Sequence, residues 1–144
     1  MEIRLTTRKR HSTRNDLAMV IFRRGLALAL LVLALYYWIR IVGLSDEEGL
    51  RFDTMSEAWR VASAIQAVLL PIAVIGLWGL FAWGTSIWLL AVAIELTMHM
   101  GMAQIFGEAR EIVLFHIASL AVYVLIKLVA ALRRRSRLLP VRHG

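Results

Sequence analysis

Cysteine is absent from this chain, and acidic residues are few: ten against seventeen lysines and arginines in 144 residues. The first absence excludes structural disulfides and every thiolate site for zinc or iron-sulfur clusters. Proline occurs twice. Only Pro71 falls inside an apolar run, where its ring and missing N–H predict a kink. A Ser-His-Asp set, a phosphate loop and any nucleophile motif are also missing, and without a large soluble segment there is little room for a catalytic cleft. The expectation is a protein that is not an enzyme.

What the chain does have is apolar sequence. Hydrophobic residues make up 60% of it and mean hydropathy is +0.69, well above a soluble domain, where the apolar share is a little under half. These residues fall in four runs, at about 25–44, 59–78, 85–105 and 112–132. Each approaches the ~20 helical residues that cross a hydrocarbon core of about 30 Å. The expected fold is an all-α membrane protein, an antiparallel four-helix transmembrane bundle over 17–132 with basic tails at 1–16 and 133–144. The first run is too long for the apolar stretch of a signal peptide and carries an aromatic belt and Arg40, so it reads as a retained span. Ahead of it, residues 16–22 read as a short interfacial helix capped by Asn15 or Asp16.

The net charge of +7 follows the membrane. Arg4, Arg8, Lys9, Arg10, Arg14, Arg23 and Arg24 precede the first run, and Arg133, Arg134, Arg135, Arg137 and Arg142 follow the last. Both termini are therefore expected in the cytoplasm of a bacterial inner membrane, with the acidic stretch around Asp46, Glu47, Glu48, Asp53 and Glu57 outside. Glu2 and Asp16 argue against a mitochondrial transit peptide. Arg23, Arg24 and Arg133 to Arg135 are candidates for contact with anionic lipid headgroups or an acidic partner. Nucleic acid is not expected, because no aromatic interleaving accompanies the charge. Gly76, Trp78, Gly79, Trp83, Gly84 and Trp88 surround an uncharged turn and read as a headgroup-level tryptophan belt.

Strongly polar residues deep in the runs are few: Gln66, Glu95, His99 and His116. Each needs a partner, since a charged side chain at a membrane helix centre costs about 2.5 to 3.5 kcal/mol on insertion scales. A turn at Gly107 would fold the third and fourth runs into a hairpin that sets His99 opposite His116. Glu95 stands one turn from His99 on the same face, with Ser119 nearby on the fourth run. Gln66 and Tyr37 reach a similar depth, about 10 Å from the outer surface at 1.5 Å per residue. Arg40 and Tyr123 lie nearer the ends, and Lys127 is expected to snorkel. The candidate buried site is thus Glu95, His99, His116 and Gln66, supported by Tyr37, Arg40, Ser119 and Tyr123.

Several chemistries suit that set. Carboxylate and imidazole could ligate a transition metal through Glu95, His99 and His116, and two histidines could ligate haem. A proton or quinone role would use Glu95 with His99 as relay. The spacing lacks the duplicated Glu-x-x-His pattern of di-iron bundles, and Met98, Met100 and Met102 do not share one helix face, so no cofactor is the first expectation. The remaining reading is interhelical glue, contributing about 0.6 to 2 kcal/mol per bond.

The stretches "LALYYWIRIVGL", "RFDTMSEAWRVASAIQAVLLPIAVIGLW" and "WGTSIWLLAVAIELTMH" resemble a family of small, uncharacterised four-span inner-membrane proteins of alphaproteobacteria, over residues 20 to 130. The resemblance implies fold and compartment and brings no activity with it. Two functions are carried forward. One is a non-catalytic accessory, assembly or scaffold subunit of an inner-membrane complex, with a membrane-protein partner or a second copy. The other is a membrane-embedded metal, haem, quinone or proton-relay site.

Overall fold

The computed structural model describes residues 13–44 and 52–136. Asp46, Glu47, Glu48, the basic residues before Thr13, and Arg137 and Arg142 lie outside the described residues. Regular structure is helical: α1 Thr13–Val42, α2 Glu57–Trp78, α3 Ala82–Leu96, a π-helical turn Thr97–Gly101, α4 Ala103–Phe106 and α5 Arg110–Ser136. Three segments, Asp16–Val42, Glu57–Trp78 and Arg110–Arg133, are long and apolar enough to cross a membrane.

Two elements differ from expectation. The segment 16–22 is no separate interfacial helix but runs without interruption into the rest of α1, since nothing between Asp16 and Gly25 breaks helical bonding. The third run is not one helix either. α3 has 15 residues, short of the ~20 that a crossing needs, and the π-turn and α4 continue it. Thr97 Oγ1 donates back to the Ala93 carbonyl at 2.7 Å, and the Met102 N–H reaches the Thr97 carbonyl at 2.9 Å. That second bond spans five residues, the mark of a π-turn. Side-chain bonding of the Thr97 kind bends helices.

α1 packs against α2, α2 against α3, and α5 against both α1 and α3. On α1 the buried Ala27, Leu30, Ala34 and Tyr37 recur every three or four residues and form one stripe. Ala67, Leu70, Ala73 and Leu77 answer from α2, and Trp88, Ala91 and Val92 from α3. Alanine at so many contact positions lets backbones come close, which is how helices associate without a hydrophobic drive between them. The opposite faces are apolar and exposed, as at Val32, Val61, Ile75 and Leu114.

α2 continues through Pro71. Proline has no N–H to offer the carbonyl four residues earlier, and that carbonyl belongs to Ala67. Trp38 Nε1 donates to it at 3.0 Å. The helix therefore keeps its bonding at the proline by borrowing a donor from α1, a substitution seen where water is excluded.

The α2–α3 turn is held from the start of α1. Arg23 donates to the Leu80 carbonyl and to Thr85 Oγ1, each at 3.0 Å. Leu80 is the one described non-glycine residue with positive φ, at 60°, so the guanidinium secures a strained turn. Arg24 stacks over Trp78 at 5.5 Å. Arg23 is accordingly spent inside the chain, unlike the headgroup contact expected of it, because two acceptors of the turn lie within its reach. Gly76 and Gly84 touch closely enough that a Cβ on either would strike the backbone of the other.

Candidate functional site

At the opposite end, α3, the π-turn, α4 and α5 build a polar cluster. Glu95 is fully buried on the last turn of α3, and His99, in the π-turn, is 6% exposed. His99 Nδ1 lies 3.2 Å from the Gly107 carbonyl oxygen, and its Nε2 lies 3.7 Å from Glu95 Oε2. A carbonyl can only accept, so Nδ1 carries the ring hydrogen and Nε2 of the neutral imidazole presents a lone pair. Nε2 would then meet a carboxylate oxygen with no hydrogen between them. A proton shared between the two would relieve that contact.

Gly107 makes this possible through its backbone. Its φ of 76° and ψ of 166° lie in a region essentially restricted to glycine. The loop that follows aims the carbonyl back at His99 before α5 starts at Arg110.

Around the pair the hydrogen bonding is incomplete. Gln66 Nε2 donates to the Ala91 carbonyl at 3.0 Å, which fixes the amide against α3 and leaves Gln66 Oε1 without a partner. The Tyr37 hydroxyl and the Gln66 amide approach Glu95 closely enough to interact, yet neither carboxylate oxygen receives a bond of good geometry. His116 is fully buried, within electrostatic reach of His99, and both its ring nitrogens lack partners. Unpaired buried polar atoms of this kind cost about 1 to 3 kcal/mol each and are few in native proteins. Among the described residues, six of the nine such atoms belong to Gln66, Glu95, His99 and His116.

The site reaches the surface through a cavity of about 230 Å³ walled by Tyr36, Tyr37, Arg40, Trp59, His99 and Phe106. The Arg40 guanidinium stacks over Trp59 at 4.3 Å and over Tyr36 at 5.4 Å, and donates to the Tyr36 hydroxyl at 3.3 Å. Trp59 packs on Phe106 with ring centres 5.1 Å apart and on His99 at 6.2 Å. A buried arginine is thereby kept polar on one side and aromatic on the other.

Of the residues expected at the site, Glu95, His99, His116, Gln66 and Tyr37 converge, and Arg40 lines the entry. Ser119 is buried but bonds back to the His116 carbonyl of its own helix at 2.9 Å. Tyr123 lies apart, packed on Trp88 and Phe22. Trp88 is fully buried and so is no belt residue; the other two tryptophans of that group, Trp78 and Trp83, are exposed. Met98 is buried while Met100 and Met102 are exposed, so the three sulfurs do not converge. Among the described residues no three His, Asp or Glu side chains are grouped to hold a metal ion: His99 meets Glu95 on one side and lies within electrostatic reach of His116 on the other. Arg133 and Arg135 are exposed at the end of α5. Trp59, Phe106 and the Gly107 carbonyl were not anticipated; Trp59 and Phe106 look like interface aromatics in sequence, and no side chain announces a carbonyl.

Fold and cluster together define an all-helical protein with three helices fit to cross a membrane and a buried acid-imidazole pair among them. The chain belongs to a family of unknown function, DUF6163, which matches residues 17–134. No curated protein and no solved structure matches it.

Proposed function

We propose that this chain is a four-span protein of a bacterial inner membrane, both termini cytoplasmic, whose Glu95–His99 pair holds and relays one proton in the outer half of the bundle. It works as a non-catalytic subunit of a larger membrane assembly. The observation that supports this reading is the Gly107 carbonyl opposite His99 Nδ1: with Nδ1 as the donor, the Nε2 lone pair faces Glu95. An ionisable residue at membrane depth is a functional-site hypothesis by default, and π-turns occur frequently at functional sites. The topology is supported by the shared level of Arg23 and the α2–α3 turn, with Arg24 beside it on α1 and Arg133, Arg134 and Arg135 at the end of α5, against Arg40, Arg60 and Arg110 at the other helix ends.

The test is infrared spectroscopy of the full chain in lipid nanodiscs with ¹⁵N-labelled histidine. The expected result near neutral pH is either a carboxylic C=O band that disappears in Glu95→Gln or an imidazolium signal from His99. An ionised Glu95 beside a neutral His99 would overturn the reading. If His99→Gln lowered stability and left the Glu95 band unmoved, simple interhelical bonding would be the better account.

A further inference from the structure

The polar cavity beside His99 is not isolated. A second space of about 420 Å³ runs between α1 and α5 along Ala29, Val32, Leu33 and Phe115, and its upper end is formed by Tyr36 and Ile112. Those two residues also line the polar cavity, so the spaces adjoin. One is walled by aromatic rings and hydrogen-bonding groups, the other mainly by apolar side chains, with Glu111 at its edge. Together they fall within the roughly 300 to 1,000 Å³ of small-molecule sites.

We propose that the two spaces form one site for a membrane-soluble molecule with a neutral, hydrogen-bonding ring as head and a long apolar tail, the chemistry of a quinone or quinol. The ring head occupies the cavity beside His99 and the tail lies in the α1–α5 groove. Three features select this ligand. First, the head cavity is built from flat surfaces, Tyr36 and Tyr37 in edge contact at 5.7 Å and Trp59 against Phe106 at 5.1 Å. Second, the Tyr36 hydroxyl accepts from Arg40 and so keeps its own hydrogen to donate to a carbonyl oxygen. Third, the charged groups at the head cavity are already engaged within the chain: Glu108 pairs with Arg110 at 3.2 Å, and Arg40 is held on Tyr36 and Trp59. A neutral head brings no charge that would have to compete with those contacts, and Glu111 at the groove offers an anionic headgroup nothing. The assignment rests on the reading of Glu95 and His99 as a proton-holding pair, which gives such a head a proton partner in the same wall.

The experiment uses the full chain in phosphatidylcholine nanodiscs, titrated with a decyl-tailed ubiquinone analogue while tryptophan fluorescence is recorded. Saturable quenching is expected, with its main component lost in Trp59→Phe. Tyr36→Phe should weaken binding about fivefold, the worth of one neutral hydrogen bond. Ile112→Trp, which fills the junction, should weaken it more than tenfold. Quenching that rises linearly with probe and matches empty nanodiscs overturns the proposal, as does equal affinity in wild type and both Tyr36→Phe and Ile112→Trp. A tightly held phospholipid, extracted at one per chain and not displaced by the probe, would also overturn it. Infrared spectra from the same nanodiscs separate the two claims: absent binding with the Glu95 or His99 proton signal intact removes the ligand alone, whereas loss of that signal removes the proton reading.

Discussion

The indole nitrogen of Trp38 sits 3.0 Å from the carbonyl oxygen of Ala67, the oxygen to which Pro71 cannot donate. A proline inside α2 and a tryptophan on α1 are thus two halves of one bonding arrangement. Trp38 is half exposed, so Trp38→Phe removes little packing and isolates the lost donor. The expected cost is about 1 to 2 kcal/mol, the upper range for polar contacts between membrane helices. Restoring the helical N–H with Pro71→Ala should recover most of it. Unfolding by steric trapping in bicelles, run as a double-mutant cycle, would show the coupling; additive effects would contradict it.

Gly107→Ala addresses the carbonyl that orients His99. Nothing lies within 4 Å of the added methyl, so the penalty comes from the backbone at φ 76° and ψ 166°, about 1 to 3 kcal/mol. The variant should also loosen His99, visible as a mixture of ring tautomers in its ¹⁵N spectrum. A single Nδ1–H form at unchanged stability would refute the link.

Gly84→Val should force α2 and α3 apart at their turn, since even one carbon meets the Gly76 backbone. The loss expected is about 1 to 3 kcal/mol or more. Gly25→Ala is the control: its Cβ meets nothing, and helix propensity favours alanine by up to about 1 kcal/mol. Equal behaviour of the two variants would argue against the close crossing.

Arg23→Gln removes the guanidinium that holds Leu80 and Thr85. Because Arg23 is partly solvated, the cost is near the low end of charged hydrogen bonds, about 1.5 kcal/mol. Protease cleavage between Gly79 and Ala82 should accelerate while the Glu95–His99 proton signal stays unchanged. A change at both ends would indicate a less local role.

The site was readable to different depths. Glu95 and His99 stand four residues apart, and that spacing alone places them on one face of α3 and its continuation. The turn at Gly107 and the depth matching of Gln66 and Tyr37 also followed from counting residues. The role of Trp88 did not: a tryptophan beside glycines looks like a headgroup anchor, but Phe22 and Tyr123 close over it at 6.3 and 5.6 Å and bury it. Arg23 likewise looks like a surface charge until the turn it holds is known, since its acceptors are 57 and 62 residues away.

By itself the sequence determined the helical class, the lengths of the apolar segments and the scarcity of polar groups within them, because these depend on composition and spacing along one chain. Tertiary structure alone decided which hydrogen of His99 is held, where α3 gives way to a π-turn, and which donor replaces the one missing at Pro71. Each of those outcomes turns on a backbone carbonyl, at Gly107, Thr97 and Ala67. A carbonyl is common to every residue, so its role emerges only when folding brings a particular donor to it.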